Sequence, residues 1–196
     1  MPTVRVLVEG DSDAVVVARL LTLRGVHDVE VRVTHGITNF PRHLRADAGT
    51  SVLGLCDAGE QQVVVRALRR LGIRVEGNLV AHGFFVCNRD LEDELIRSLG
   101  AAAVLDALHD LGELGRFRTF QHQPEWRGRP IEDQLHRFAG SGSGRKRRLA
   151  TALAERLTPE TTPQPLGALV EAAARVMVDQ RAEVVGGSAA GSSSKR

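Results

Sequence analysis

Glu9, Asp13, Asp57, Asp90 and Glu92 each stand at, or just beyond, the end of a short apolar run. Ionised carboxylates are hard, acceptor-only oxygen donors. No Cys-x-x-Cys or His-x-x-x-His spacing accompanies them. Carboxylates drawn to one place repel one another: two unit charges about 4 Å apart cost about 4 kcal/mol at an effective dielectric of 20. Either a proton or a hard cation must relieve that cost. Oxygen-only ligation selects Mg2+ or Mn2+ over zinc. Such an ion suits phosphoryl chemistry, where it clamps attacking and leaving oxygens. Taken singly, Asp13, Asp57 and Asp90 also read as caps of the helical patterns that follow them. Glu9 does not, because Glu is a poor cap.

The elements that must position these acids alternate in type. Short β-branched or apolar runs at 3–8, 29–33, 51–56 and 83–87 read as strands. Helical patterns follow at 11–24, 39–46, 60–71, 90–99 and 101–111. Strands alternating with helices imply a parallel sheet, whose C-terminal strand ends share one ligand-binding edge. Three strands would therefore deliver acids to one rim. Residues 112–130 are poorly periodic and rich in Arg, and read as loop. Helical patterns return at 131–138, 145–157 and 166–183, with three prolines between 158 and 165 forcing a break. The expected organisation is an α/β core over 1–111, a basic loop and helical extension packed on it over 112–183, and a disordered tail over 184–196.

Charge is spread unevenly. Lys+Arg 26 against Asp+Glu 24 gives +2 overall, yet residues 115–148 carry nine basic and three acidic side chains. The segment ends in Arg145, Lys146, Arg147 and Arg148, an expected contact for the phosphates of DNA or RNA. Lys146 is singled out because all but two of the 26 cations are Arg. A compact ammonium can neutralise charge developing on a phosphoryl group; the competing reading is a continuation of a surface basic run. His35 and His82 fall near strand ends, beside the expected rim. Trp126, flanked by Arg127 and Arg129, reads first as a packing anchor.

In order and context these motifs resemble a TOPRIM domain, the metal-binding module of topoisomerases, primases and OLD-family (overcoming lysogenization defect) nucleases. The residues are Val6-Leu7-Val8-Glu9-Gly10 after the first strand and Asp57-Ala58-Gly59 after the third. The OLD branch is the nearer likeness, through Glu9-Gly10-Asp11-Ser12-Asp13, Asp90-Leu91-Glu92, Lys146 ahead of an Ala-rich helix, and Pro163-Gln164-Pro165-Leu166. The resemblance implies a Rossmann-like fold, a mostly parallel sheet of about four strands flanked by helices, with a helical C-terminal extension. It implies a nuclease dependent on Mg2+ or Mn2+, with Glu9, Asp57 and Lys146 catalytic. Glu9, Asp13 and Asp57 would hold one cation, and Asp57, Asp90 and Glu92 a second. Gly59 departs from the family pattern by replacing the second Asp of Asp-x-Asp. Glu60 follows it and could reach into the site, but with a side chain starting from a different direction on the chain. The departure supports an alternative, a degenerate module that serves a separate ATPase or nucleic-acid complex. Nucleotidyl transfer, as in primases, is a third reading.

Composition excludes other classes. With six Phe, one Trp and no Tyr, rows of stacking rings and a phosphotyrosine intermediate are both out. Two Cys without metal spacing rule out a disulfide scaffold and a Cys-based zinc site. Acids interrupt the opening MPTVRVLVEGDSD before a signal-peptide core forms, and no run approaches the roughly 20 apolar residues of a spanning helix. The expectation is a cytoplasmic protein without membrane contact, standing apart from the ATPase that precedes the module in OLD proteins. Its expected partners are DNA or RNA, a separate ATPase, or a second copy of the chain.

Overall fold

A computed structural model describes residues 4–45, 50–142 and 144–189. Its centre is a four-stranded sheet of β1 (Val4–Val8), β2 (Val29–Val33), β3 (Ser51–Asp57) and β4 (Phe84–Cys87), in the order β2-β1-β3-β4. All pairings are parallel, with Val4 level with Val29 and Ser51, and Gly54 level with Phe84. The C-terminal ends of β1, β3 and β4 therefore open onto one edge, as expected from the alternation of strands and helices.

Side chains alternate across the sheet with a period of two. Val4, Val6, Val8, Leu53, Leu55, Phe85 and Cys87 face the larger core. There they meet α1 (Asp11–Leu23), α4 (Leu91–Asp110), α7 (Arg145–Ala154) and α8 (Gln164–Ala189). Leu7, Cys56 and Phe84 face the smaller core under α2 (Phe40–His43) and α3 (Gln61–Arg70). Gly54 is required by this second face. A Cβ on it would lie 2.7 Å from the ring of Phe84 and 3.0 Å from Phe40. Cys56 and Cys87 are buried free thiols.

Three expectations need correction. The region 112–130 is not all loop: Leu114–Gln121 forms α5, and α6 spans Ile131–Ala139. Phe117 and Phe120 on α5 gather Phe138 and Trp126 into one aromatic cluster, with ring centroids 5.2 to 6.3 Å apart. That burial stabilises a short helix whose Gly and Arg content hides its periodicity. The pattern at 39–46 resolves into a 3-10 turn, Ile37–Asn39, followed by α2, and Ala46 lies outside the described residues. Residues 184–189, expected in the tail, instead continue α8 to Ala189. Two glycines cost a helix only about 1 kcal/mol each, whereas a proline would have ended it. Residues 190–196 lie outside the described residues.

The split of 90–111 into two helical patterns has a clear counterpart. Helical turns flank Gly100 on both sides within α4, but Gly100 itself interrupts them with φ 78° and ψ 158°. No helix among the described residues is long and apolar enough to cross a membrane.

Candidate metal centre

Each strand end delivers its acid through the turn that follows it. β1 passes through Glu9 and Gly10 into α1. The Asp13 carboxylate turns back to accept the Gly10 N–H at 2.8 Å. Asp13 thus caps the helix and also lines a cavity of about 400 Å³ with Glu9, Asp57, His35, Lys146 and Arg147. Thr34 N–H donates to the Val8 carbonyl and Gly36 N–H to that of Glu9, which folds the β2 loop over this edge. His35 borders the cavity in left-handed backbone, φ 54°. His82 does not line it.

β3 ends at Asp57 and runs into a 3-10 turn, Ala58–Glu60. The turn reverses the direction of Glu60 and brings its carboxylate back toward the strand, where Oε2 accepts the Asp57 N–H at 3.4 Å. Ligand oxygens of Glu9, Asp57 and Glu60 all lie within 4.8 Å of one another. Glu60 thereby supplies the carboxylate that Gly59 lacks. Sequence reasoning leaves Glu60 out of the site, although Asp57-x-x-Glu60 is capping-box spacing, the signal that predicts such a reversal. Gly59 itself faces open space, with nothing within 4 Å of a Cβ placed there.

β4 leads through Asn88 and Arg89 to α4, which Asp90 caps by accepting the Asp93 N–H at 2.9 Å. The other Asp90 oxygen lies 2.6 Å from Nε2 of His136 on α6. Both of its oxygens are therefore engaged within the protein. Glu92 is 6% exposed, with Oε2 3.1 Å from Nζ of Lys146. Its Oε1 has no hydrogen-bond partner. An unpaired buried carboxylate oxygen is costly, so this one calls for a proton, a water or a further cation.

α7 packs between α1 and α4, which sets Lys146 between the first turns of both helices. Three Arg and one Lys crowd its own first turn, behind Gly144 with no side-chain cap. Cations at the positive end of a helix are unfavourable, so local stability does not explain them. The four do not act alike. Lys146 and Arg147 line the cavity. Arg145, expected at the nucleic acid, does not line it and is engaged within the protein. Its guanidinium donates to Glu113 at 3.2 Å and to the Phe138 carbonyl at 3.3 Å, and lies over the Phe138 ring. Arg148 also donates to Glu113, at 2.9 Å, while its side chain stays half exposed.

Electrostatics agree with the geometry. Burial, with the charges of Asp13, Glu60 and Asp90, pushes Asp57 up to about 7. Burial and contact with Glu9 push Glu60 up to about 7. Burial raises Asp13 and Glu92 as well, against the pull of Lys146. Burial opposes the Lys146 charge, but Glu92, Asp13 and Asp57 outweigh it and the ammonium is held charged. Acids that resist ionising together, an all-oxygen donor set and the orphaned Glu92 oxygen fit a hard divalent cation.

No family model matches the sequence, and no curated protein matches it. Solved structures do resemble it in fold. The C-terminal region of the Burkholderia pseudomallei OLD protein superposes with a TM-score of 0.65 at 17% identity, covering 89% of this chain and 98% of that one. The C-terminal region of the Xanthomonas campestris pv. campestris OLD protein gives 0.69 at 18% identity, covering 92% and 96%.

Proposed function

We propose that the chain, whose fold is that of the OLD C-terminal region, is a nuclease that hydrolyses phosphodiester bonds of nucleic acid with Mg2+ or Mn2+. The observation that carries this reading is the meeting of Glu9, Asp57 and Glu60 oxygens within 4.8 Å. Those three residues would hold the cation. A bound divalent ion supplies polarisation of a phosphoryl oxygen.

The chain's own groups do the rest. Asp13 adds negative charge beside the three ligands while fixing the start of α1. Glu92 offers its free oxygen to a second cation and anchors Lys146. The ammonium can then meet charge that develops on the phosphoryl oxygens. Arg147, exposed on the cavity wall, holds the adjoining backbone. Asp90 acts one step removed, by fixing α4 and tying it to His136.

The test is cleavage of labelled duplex and single-stranded oligonucleotides in Mn2+. Wild type should cut, and Asp57→Ala should lose roughly a hundredfold or more in rate. Undiminished cutting by that variant would remove the mechanism. Gly59 favours a second reading, a module without turnover that serves a separate ATPase or nucleic-acid complex. That reading expects no cutting with any divalent ion, together with co-purification of another protein.

A further inference from the structure

A second cavity, of about 290 Å³, is lined by Arg89, Trp126, Arg129, Asp133, His136 and Arg137. Its three guanidiniums come from separate places: the β4–α4 turn, the turn after α5, and α6. Arg129 is held in advance. Its Nε donates to the Glu125 carbonyl at 2.7 Å, and its guanidinium carbon lies 5.1 Å from the centre of the Trp126 ring. Trp126 in turn stacks on Phe120 at 5.2 Å, so the platform belongs to the aromatic core.

Charge at this cavity is left over. Arg89 reaches Asp133 only at 3.8 Å, with both side chains more than half exposed. Among the described residues, neither Arg129 nor Arg137 has an acidic partner. Arg129 and Arg137 are also exposed, which leaves their charge available to an anion beside the Trp126 wall. A planar, pre-oriented guanidinium matches phosphate oxygens well. Asp90, at the start of α4, meets His136 of this wall at 2.6 Å.

We infer that this cavity is a phosphate subsite for the nucleic-acid strand on one side of the bond to be cut, with Arg129 and Arg137 as its contacts. The inference rests on the nuclease reading for its substrate, but not for its test. Binding of labelled single-stranded and duplex 20-mers is measured without divalent metal over a range of salt. Each phosphate contact contributes about 0.9 to the slope of log affinity against log salt on duplex, or about fivefold in affinity at 0.15 M.

Arg129→Gln and Arg137→Gln should each lower the slope by about that amount. Arg69→Gln, on the far side of the sheet in α3, should leave it unchanged. Melting temperatures near wild type establish that the variants are folded. Unchanged slopes for both cavity variants would overturn the subsite, as would a wild type that binds neither strand. Unchanged slopes with intact cleavage remove the subsite and keep the nuclease. Lowered slopes without cleavage in any divalent ion keep the subsite and remove the nuclease.

Discussion

Lys146 competes with the second cation proposed at Glu92, because it already pairs with that carboxylate. The ammonium sits 3.1 Å from an almost wholly buried carboxylate whose second oxygen is unpaired. A cation arriving at Glu92 must share it with Lys146. Lys146→Met should therefore tighten Mn2+ binding, by about tenfold if roughly 1.4 kcal/mol of repulsion is relieved. The same substitution should lower the cleavage rate by about a hundredfold or more, because the charge on the phosphoryl oxygens goes unmet. Calorimetry and cleavage assays separate the two effects. Weaker metal binding in Lys146→Met would mean that the ammonium organises the site rather than opposing the ion. Single residues are also where the sequence is least legible. Glu9 and Asp57 stand out because each closes a recognisable strand. Glu60 does not, since the 3-10 turn that redirects it leaves no mark on helix or strand periodicity. The basic run looks uniform as letters, yet helical spacing sends Arg145 and Arg148 toward Glu113 and leaves Lys146 and Arg147 at the cavity.

At the scale of elements, one buried carboxylate fixes the helices that carry Lys146. Glu113 is 2% exposed and pairs with Arg116, Arg145 and Arg148. Burial opposes its charge, but the guanidiniums overcome it and hold the carboxyl below its ordinary range. These pairs tie the turn after α4 to the first turn of α7. Glu113→Gln leaves the largely buried Arg145 without its counter-charge and should destabilise the fold by about 3 kcal/mol. Denaturant melts measure this; a change below roughly 0.5 kcal/mol would show that Arg145 finds an equivalent partner. The helices on either side of this junction are legible as patterns. The junction is not, because α5 is short and three of its eight residues are Gly or Arg. Its stability comes from the aromatic cluster, a set of contacts between segments that no local pattern displays.

For the whole molecule, the acidic rim sets a pH dependence of known sign. The folded Asp57 and Glu60 titrate near 7, against ordinary values of 3.8 and 4.5. Between about pH 4 and 7 the folded chain keeps protons that the unfolded chain has released. Their contribution to stability is thus greatest at low pH and is lost as pH rises through about 7. Glu113 works in the opposite direction, so the site is isolated by adding metal. Mn2+ competes with those protons and should raise the melting temperature clearly at about pH 8 and little at about pH 5. Equal shifts at both pH values would place the ion elsewhere. The parallel sheet and the shared rim at this scale follow from alternating strands and helices, whereas the strand order is not read from that alternation. The reach of α8 to Ala189 is not legible either, because Gly186 and Gly187 read as a break although neither ends the helix.

Titration of Mn2+ by calorimetry into wild type and Glu60→Gln at about pH 8 bears most directly on whether Glu9, Asp57 and Glu60 form a cation site. Wild type should bind, and the variant should bind about ten- to a hundredfold more weakly with its melting temperature in metal-free buffer unchanged or raised. Superimposable isotherms, or no heat from either protein, would contradict the account.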